Sequence, residues 1–86
     1  MRYRVSKHAR RECERRRISL SVLDQVMQEP QQVLSERDGK RSYQSQIEFP
    51  NARTFLVRAI VDDMEQPATV VTVYRTTRIE KYWRSS

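Results

Sequence analysis

The sequence predicts an α+β fold with a short N-terminal strand, two helices, and then an antiparallel sheet of about four strands. Up to Pro30 the apolar residues recur at the spacing of a helix, and after Pro30 they alternate with polar residues as in a strand. An Asp38-Gly39 pair marks a tight turn between two such alternating segments. With 86 residues, the chain has the length of a single domain over residues 1–86.

The first strand and the first helix are predicted close to the N-terminus. Arg2–Val5 alternates polar and apolar residues and is followed by Ser6, a residue type that often caps a helix. The helix is expected over residues 7–17. Arg16 falls on its narrow apolar side. A guanidinium there must reach solvent, pair with Glu12 one turn earlier, or line a cavity.

A second helix is expected between Ile18 and Pro30. Its N-cap is either Ser19 or Ser21, and Ser21 forms a capping-box pattern with Asp24. The residues that recur on its apolar side are Leu20, Leu23, Val26 and Met27. Pro30 ends this helix because proline cannot continue the helical hydrogen bonds.

The strands that follow are predicted from alternation and from turn residues. Gln32–Arg37 and Lys40–Phe49 flank the Asp38-Gly39 turn as a hairpin. Thr54–Asp62 is the next strand and Thr69–Arg78 is the last. The chain beyond that strand forms either a short helix or a tail.

Arg58 lies in the middle of the Thr54–Asp62 strand, which is largely apolar on both faces. We therefore expect this strand to be central in the sheet and Arg58 to be partly buried. A buried charge is costly without a partner. The partner would be a carboxylate, such as Glu12 or Glu48, or the phosphate of a ligand.

Positive charge is concentrated at both ends of the chain. The net charge is +6, and residues 1–17 contribute +6, residues 18–66 contribute −3 and residues 67–86 contribute +3. If the ends converge, they form one basic face that favours an anionic partner. Arginine outnumbers lysine 14 to 3, which favours RNA over a membrane surface, because a guanidinium group binds two phosphate oxygens at once and stacks on bases. The simpler interpretation is an exposed arginine-rich helix.

Several functional classes are excluded by composition. One histidine, one cysteine and one glycine are too few for a zinc site or a glycine-rich phosphate loop, so neither metal nor cofactor is expected. No apolar run approaches the roughly 20 residues of a membrane helix. No secretory signal follows the basic N-terminus, and Cys13 has no disulfide partner, so we expect a cytoplasmic protein.

Six short motifs give the chain a resemblance to a known family. They are Ser6–Ala9, Arg16–Ser19, Glu29–Pro30, Arg41–Gln44, Val71–Thr76 and Lys81–Trp83. With them the chain resembles a family of small bacterial proteins of unassigned function, which is similar to the BrnT and RelE toxins of toxin-antitoxin pairs. The chain departs from the pattern at Arg17, where the family has a glycine, and in lacking a lysine pair on the middle strands.

The resemblance implies a RelE-like fold and a toxin that cleaves messenger RNA, often on the ribosome, and is silenced by a small antitoxin. By position it implies reactive roles for Arg58, Tyr74, Arg75, Lys81 and Tyr82.

Reasoning from the residues themselves completes the candidate site. Histidine is the side chain that ordinarily titrates near neutral pH, so His8 is the candidate general base, although a helix cap or a packing role is the simpler interpretation. The predicted catalytic set is His8, Arg58, Tyr74, Arg75 and Lys81. The predicted RNA-binding set is Arg10, Arg11, Arg16, Arg78 and Tyr82. The alternative function is a non-catalytic module that binds RNA or a protein through the same basic face.

Overall fold

A computed structural model describes residues 1–85 and confirms the α+β class. In chain order, its elements are β1 (Tyr3–Val5), α1 (Lys7–Arg15), α2 (Leu20–Gln28), β2 (Gln32–Ser35), β3 (Arg41–Glu48), β4 (Thr54–Asp62), β5 (Ala68–Thr76) and α3 (Ile79–Tyr82). Within residues 1–85, no helix has the length and apolar character that crossing a membrane requires.

Across the described residues 1–85, the sheet is mixed and has five strands in the order β1-β5-β4-β3-β2. Strands β2 to β5 are antiparallel, as predicted, and β4 is central. The short first strand adds to the edge of β5 in parallel, with Tyr3 beside Ala68. Ser6 holds this junction, because its backbone N–H donates to the carbonyl oxygen of Val70 and its hydroxyl to that of Val71, each at 3.1 Å.

Helix α1 begins where the sequence predicts and ends earlier. Its N-cap is Ser6, whose hydroxyl accepts the backbone N–H of Ala9 at 3.0 Å. The helix ends at Arg15 because Arg17 adopts a left-handed backbone conformation, with φ of 54°. The N–H of Ile18 then bonds to the carbonyl of Cys13 at 2.8 Å, a turn that usually has glycine in the position of Arg17.

Helix α2 is capped by Ser19, and the Ser21–Asp24 capping box does not form. The Ser19 hydroxyl accepts the backbone N–H of Val22 at 3.1 Å. Asp24 instead accepts a hydrogen bond from the hydroxyl of Tyr3 at 2.6 Å, which ties β1 to α2.

The predicted hairpin is present with a longer turn. Strand β2 ends at Ser35 and β3 begins at Arg41, and a short 3₁₀ turn over Arg37–Gly39 joins them. Asp38 and Gly39 both have positive φ, 59° and 73°, which explains why this residue pair marks the turn.

The hydrophobic core lies between the sheet and both long helices. Its helical members are Ala9, Cys13, Leu23, Val26 and Met27, and its strand members include Ile47, Val57, Ala59, Val61, Val70 and Val73. The helices therefore pack on one face of the sheet, as predicted. Side chains alternate along a strand, so Leu56, Arg58 and Ile60 of β4 point to the opposite face, which we call the second face.

Candidate functional site

The second face carries a polar cluster centred on Arg58. Strand register places Gln44 of β3 and Tyr74 of β5 on either side of Arg58. Arg58 is only 4% exposed. Its Nε donates to Oε1 of Gln44 at 2.7 Å, and its Nη1 donates to the Tyr74 hydroxyl. The sheet thus positions three polar side chains side by side.

The carboxylate partner of Arg58 is Glu36, and neither Glu12 nor Glu48 takes that role. Nη2 of Arg58 donates to Oε2 of Glu36 at 2.8 Å. Glu12 belongs to α1, on the other side of the sheet, and Glu48 is exposed at the end of β3. Glu36 was missed because the sequence placed it near the end of the predicted Gln32–Arg37 strand, with no signal that this strand ends at Ser35 and that Glu36 turns toward Arg58.

The C-terminal segment covers this cluster. The Tyr82 ring lies over Arg58, with 4.3 Å between the ring centroid and Cζ, and it meets the Tyr74 ring edge-to-face at 6.1 Å. Gln44 donates from Nε2 to the Tyr82 carbonyl at 3.2 Å. Gln32 donates from Nε2 to the Arg84 carbonyl at 2.7 Å and accepts the Arg84 backbone N–H at 3.1 Å. These contacts hold residues 82–84 against the second face.

The two tyrosines of the cluster have pKa values shifted in opposite directions. The pKa of Tyr82 is lowered, chiefly by a hydrogen bond with Tyr74 and further by the nearby charges of Lys81 and Arg58. The pKa of Tyr74 is raised, chiefly by burial. The Lys81 ammonium lies 5.3 Å from the centroid of the Tyr82 ring. Tyr82 is therefore the more acidic phenol, and two cations lie close to its ring.

The predicted catalytic residues do not all meet. Arg58, Tyr74 and Lys81 join Tyr82 in the cluster, whereas Arg75 does not. Adjacent strand residues face opposite sides, so Arg75 points to the helix-bearing face. There its guanidinium stacks on the rings of Phe49 and Phe55, at 4.4 and 4.5 Å.

His8 is also remote from the cluster. It is exposed on α1, and the sheet separates α1 from the second face. His8 is thus in no position to act as a base beside Arg58. The alternation of side chains could have separated Arg75 from Tyr74, but no local signal in the sequence indicates the position of His8.

The predicted RNA-binding arginines lie in different surroundings. Arg10 and Arg11 are exposed on α1, which packs against β5, and Arg78 is exposed just beyond β5. None of these three side chains forms an ion pair within the described part of the chain. Arg16 is paired, because its Nε donates to Oε1 of Glu12 at 3.0 Å. Helix α1 and Arg78 thus both adjoin β5.

Neither a metal site nor a reactive cysteine is found among the described residues. Residues 1–85 contain no group of three or more His, Cys, Asp or Glu side chains arranged to hold a metal ion. Cys13 is buried in the core, and burial raises the pKa of its thiol. This thiol is a packing group.

Residues 5–75 match the model of a family described as a domain of unknown function, DUF4258. The chain belongs to this family. No curated protein and no solved structure matches the chain. The DUF4258 match agrees with the predicted resemblance to a family of unassigned function and contains no link to the BrnT or RelE toxins. It includes Arg58 and Tyr74, whereas Lys81 and Tyr82 lie beyond the matched residues.

Proposed function

We propose that this chain is an RNA-cleaving toxin of the RelE and BrnT type that acts without a metal ion. Its reacting groups are the side chains gathered on the second face: Arg58, Tyr74, Lys81 and Tyr82. The observation that carries the proposal is the position of Tyr82, whose ring lies 4.3 Å from Cζ of Arg58, 5.3 Å from Nζ of Lys81 and edge-to-face against Tyr74. These neighbours lower the pKa of its phenol.

When the 2′-hydroxyl of an RNA attacks the adjacent phosphodiester, a base must take the hydroxyl proton and an acid must protonate the leaving oxygen. Positive charge must also stabilise the phosphate in the transition state. Tyr82, in its phenolate form, takes the proton of the attacking 2′-hydroxyl and replaces His8 in the base role. Lys81 and Arg58 stabilise the negative charge of the pentacovalent phosphate. The Lys81 ammonium, 5.3 Å from the centroid of the Tyr82 ring, donates the proton to the leaving 5′-oxygen.

The proposal includes the partners and location that the resemblance implies. An RNA-cleaving toxin needs a small antitoxin and access to cellular messages, so we place this protein in the cytoplasm. A short neighbouring gene that encodes a protein with a DNA-binding end would support this part of the proposal.

A second function is favoured by the way in which Arg58 is already paired and covered within the cluster. Arg58 is neutralised by Glu36, the Tyr82 ring lies over Arg58, and Arg84 is bonded to Gln32 on the neighbouring strand. An arginine satisfied in this way suits a structural role, which leaves a non-catalytic module that binds RNA or a protein through the basic surface.

Cleavage of labelled RNA, free and ribosome-bound, in the presence of a chelator distinguishes the two functions. Tyr82→Phe removes only the hydroxyl and should reduce the rate by about 10²-fold or more, the usual contribution of a general base. Tyr43→Phe is the matched control, because Tyr43 lies on the helix-bearing face beside Ala59. Normal growth on expression without an antitoxin, together with no cleavage of either RNA, would leave the binding module as the function.

A further inference from the structure

A groove of about 310 Å³ opens on the helix-bearing face, on the other side of the sheet from Tyr82. It lies between the turn that joins α1 to α2 and the turn that joins β3 to β4. Its lining residues are Arg17, Phe49, Pro50, Asn51 and Arg75. Two arginines thus line the groove, and none of its lining residues within 1–85 carries a carboxylate.

Arg75 is held in place by aromatic rings. Its Cζ lies 4.4 Å from the Phe49 ring centroid and 4.5 Å from that of Phe55, and the two rings pack edge-to-face at 5.3 Å. Stacking of this kind orients the guanidinium plane and leaves its N–H groups free to bind a ligand. Within residues 1–85 the Arg75 side chain forms no ion pair.

Arg17 reaches the groove from a backbone position that suits glycine. Its φ of 54° lies in the left-handed region, where a side chain adds strain. Arg17 is exposed and, like Arg75, has no ion-pair partner in the part of the chain that the structure describes.

We propose that this groove binds a phosphodiester of an RNA strand, with Arg17 and Arg75 contacting the phosphate oxygens. The planar forks of the two guanidinium groups match phosphate geometry, and the net charge of +6 favours a polyanion. The choice of RNA rests on the proposed function. Because the sheet separates the groove from Tyr82, the contact anchors the strand and takes no part in the chemistry.

The test is fluorescence anisotropy of a labelled single-stranded RNA with wild-type protein, Arg17→Gly and Arg75→Lys. Each change should weaken binding about tenfold, the loss of one charge-assisted hydrogen-bonding group. Arg75→Lys keeps the positive charge and removes the planar guanidinium, so it tests whether binding needs the paired N–H donors of arginine. Arg17→Gly leaves the Arg75 stack intact and relieves backbone strain, so it should fold.

Arg37→Gln is the matched control, because Arg37 is exposed at the opposite end of the sheet and forms no ion pair within residues 1–85. It should change affinity less than about twofold, the small effect of a charge outside the contact. Arg17→Gly should also lower the salt dependence of binding by about 0.7 in the slope, the value for one phosphate of a single strand.

This inference would be overturned by wild-type protein that binds no RNA at low salt, by an equal loss of affinity in Arg17→Gly and Arg37→Gln, or by full affinity in Arg75→Lys. Inorganic phosphate and unlabelled RNA can each be added to displace the labelled RNA. If both displace it equally well at the same concentration of phosphate groups, the groove binds free phosphate instead. Binding that depends on the groove without any cleavage would leave the inference standing and reject the ribonuclease. Cleavage of RNA by the wild-type protein, together with full RNA affinity in Arg17→Gly and Arg75→Lys, would reject the inference and leave the ribonuclease standing.

Discussion

The Arg58 guanidinium and the Glu36 carboxylate form an ion pair at 2.8 Å on the second face of the sheet, beneath the ring of Tyr82. The Arg58 side chain is 5% exposed and that of Glu36 is 31% exposed, so the pair is sheltered mainly on the arginine side. Gln44 and Tyr74 accept two further hydrogen bonds from the same guanidinium. One central arginine therefore links β3, β4, β5 and the β2–β3 connection.

Arg58→Ala should destabilise the protein by about 3–5 kcal/mol, because it leaves Glu36 and the buried Gln44 without their shared partner. The measurement is urea unfolding followed by circular dichroism. The control is Arg41→Ala, which breaks the more exposed pair between Arg41 and Asp63 and should cost less than about 1 kcal/mol. Equal costs for the two variants would show that the Arg58 network adds no special stability. Nearly unchanged stability with loss of RNA cleavage would make Arg58 a phosphate clamp.

Arg17→Gly should stabilise the protein by about 1 kcal/mol, since glycine adopts the left-handed conformation without strain. The same urea experiment measures this change. Arg11→Gly also removes one exposed arginine of the N-terminal region, but it lies within α1 and should destabilise by about 1 kcal/mol. A loss of stability in Arg17→Gly would mean that the Arg17 side chain contributes more to the fold than its backbone costs.

Tyr82 should lose its proton at a lower pH than Tyr74. The pKa of Tyr82 is lowered from the ordinary tyrosine value of about 10, and that of Tyr74 is raised. The near-ultraviolet absorbance of tyrosinate, followed during an alkaline titration, should therefore show an early phase that Tyr82→Phe removes and Tyr43→Phe retains. In Tyr74→Phe this phase should move to higher pH, because the hydrogen bond between the two tyrosines is lost. An early phase that survives in Tyr82→Phe would assign it to another tyrosine.

The same shifts set the sign of the effect of pH on stability. The lowered pKa of Tyr82 makes its contribution to the free energy of unfolding grow as pH rises toward about 10. The raised pKa of Tyr74 makes its contribution fall as pH rises above that value. Urea unfolding of wild-type and Tyr82→Phe proteins across this range should therefore differ most on the alkaline side. RNA cleavage should also increase as Tyr82 loses its proton.

Local signals in the sequence determined most of the secondary structure. The Ser6 cap, the helical spacing before Pro30 and the alternation after it predict α1, α2 and the antiparallel strands. The predicted limits of β4, Thr54 and Asp62, agree with the structure. These features depend on residues within a few positions of one another, so hydrogen bonding and side-chain periodicity in a short segment are enough to specify them.

The composition of the cluster around Arg58 was decided by the tertiary structure. The sequence predicted a partly buried arginine that needs a partner. It did not predict that the partner is Glu36, or that residues 82–84 lie against the same face of the sheet. The position of β1 beside β5 and the remoteness of His8 were likewise not encoded in any local pattern. These relationships depend on strand register and on the path of the chain across the sheet, where residues distant in sequence meet only after the core has packed.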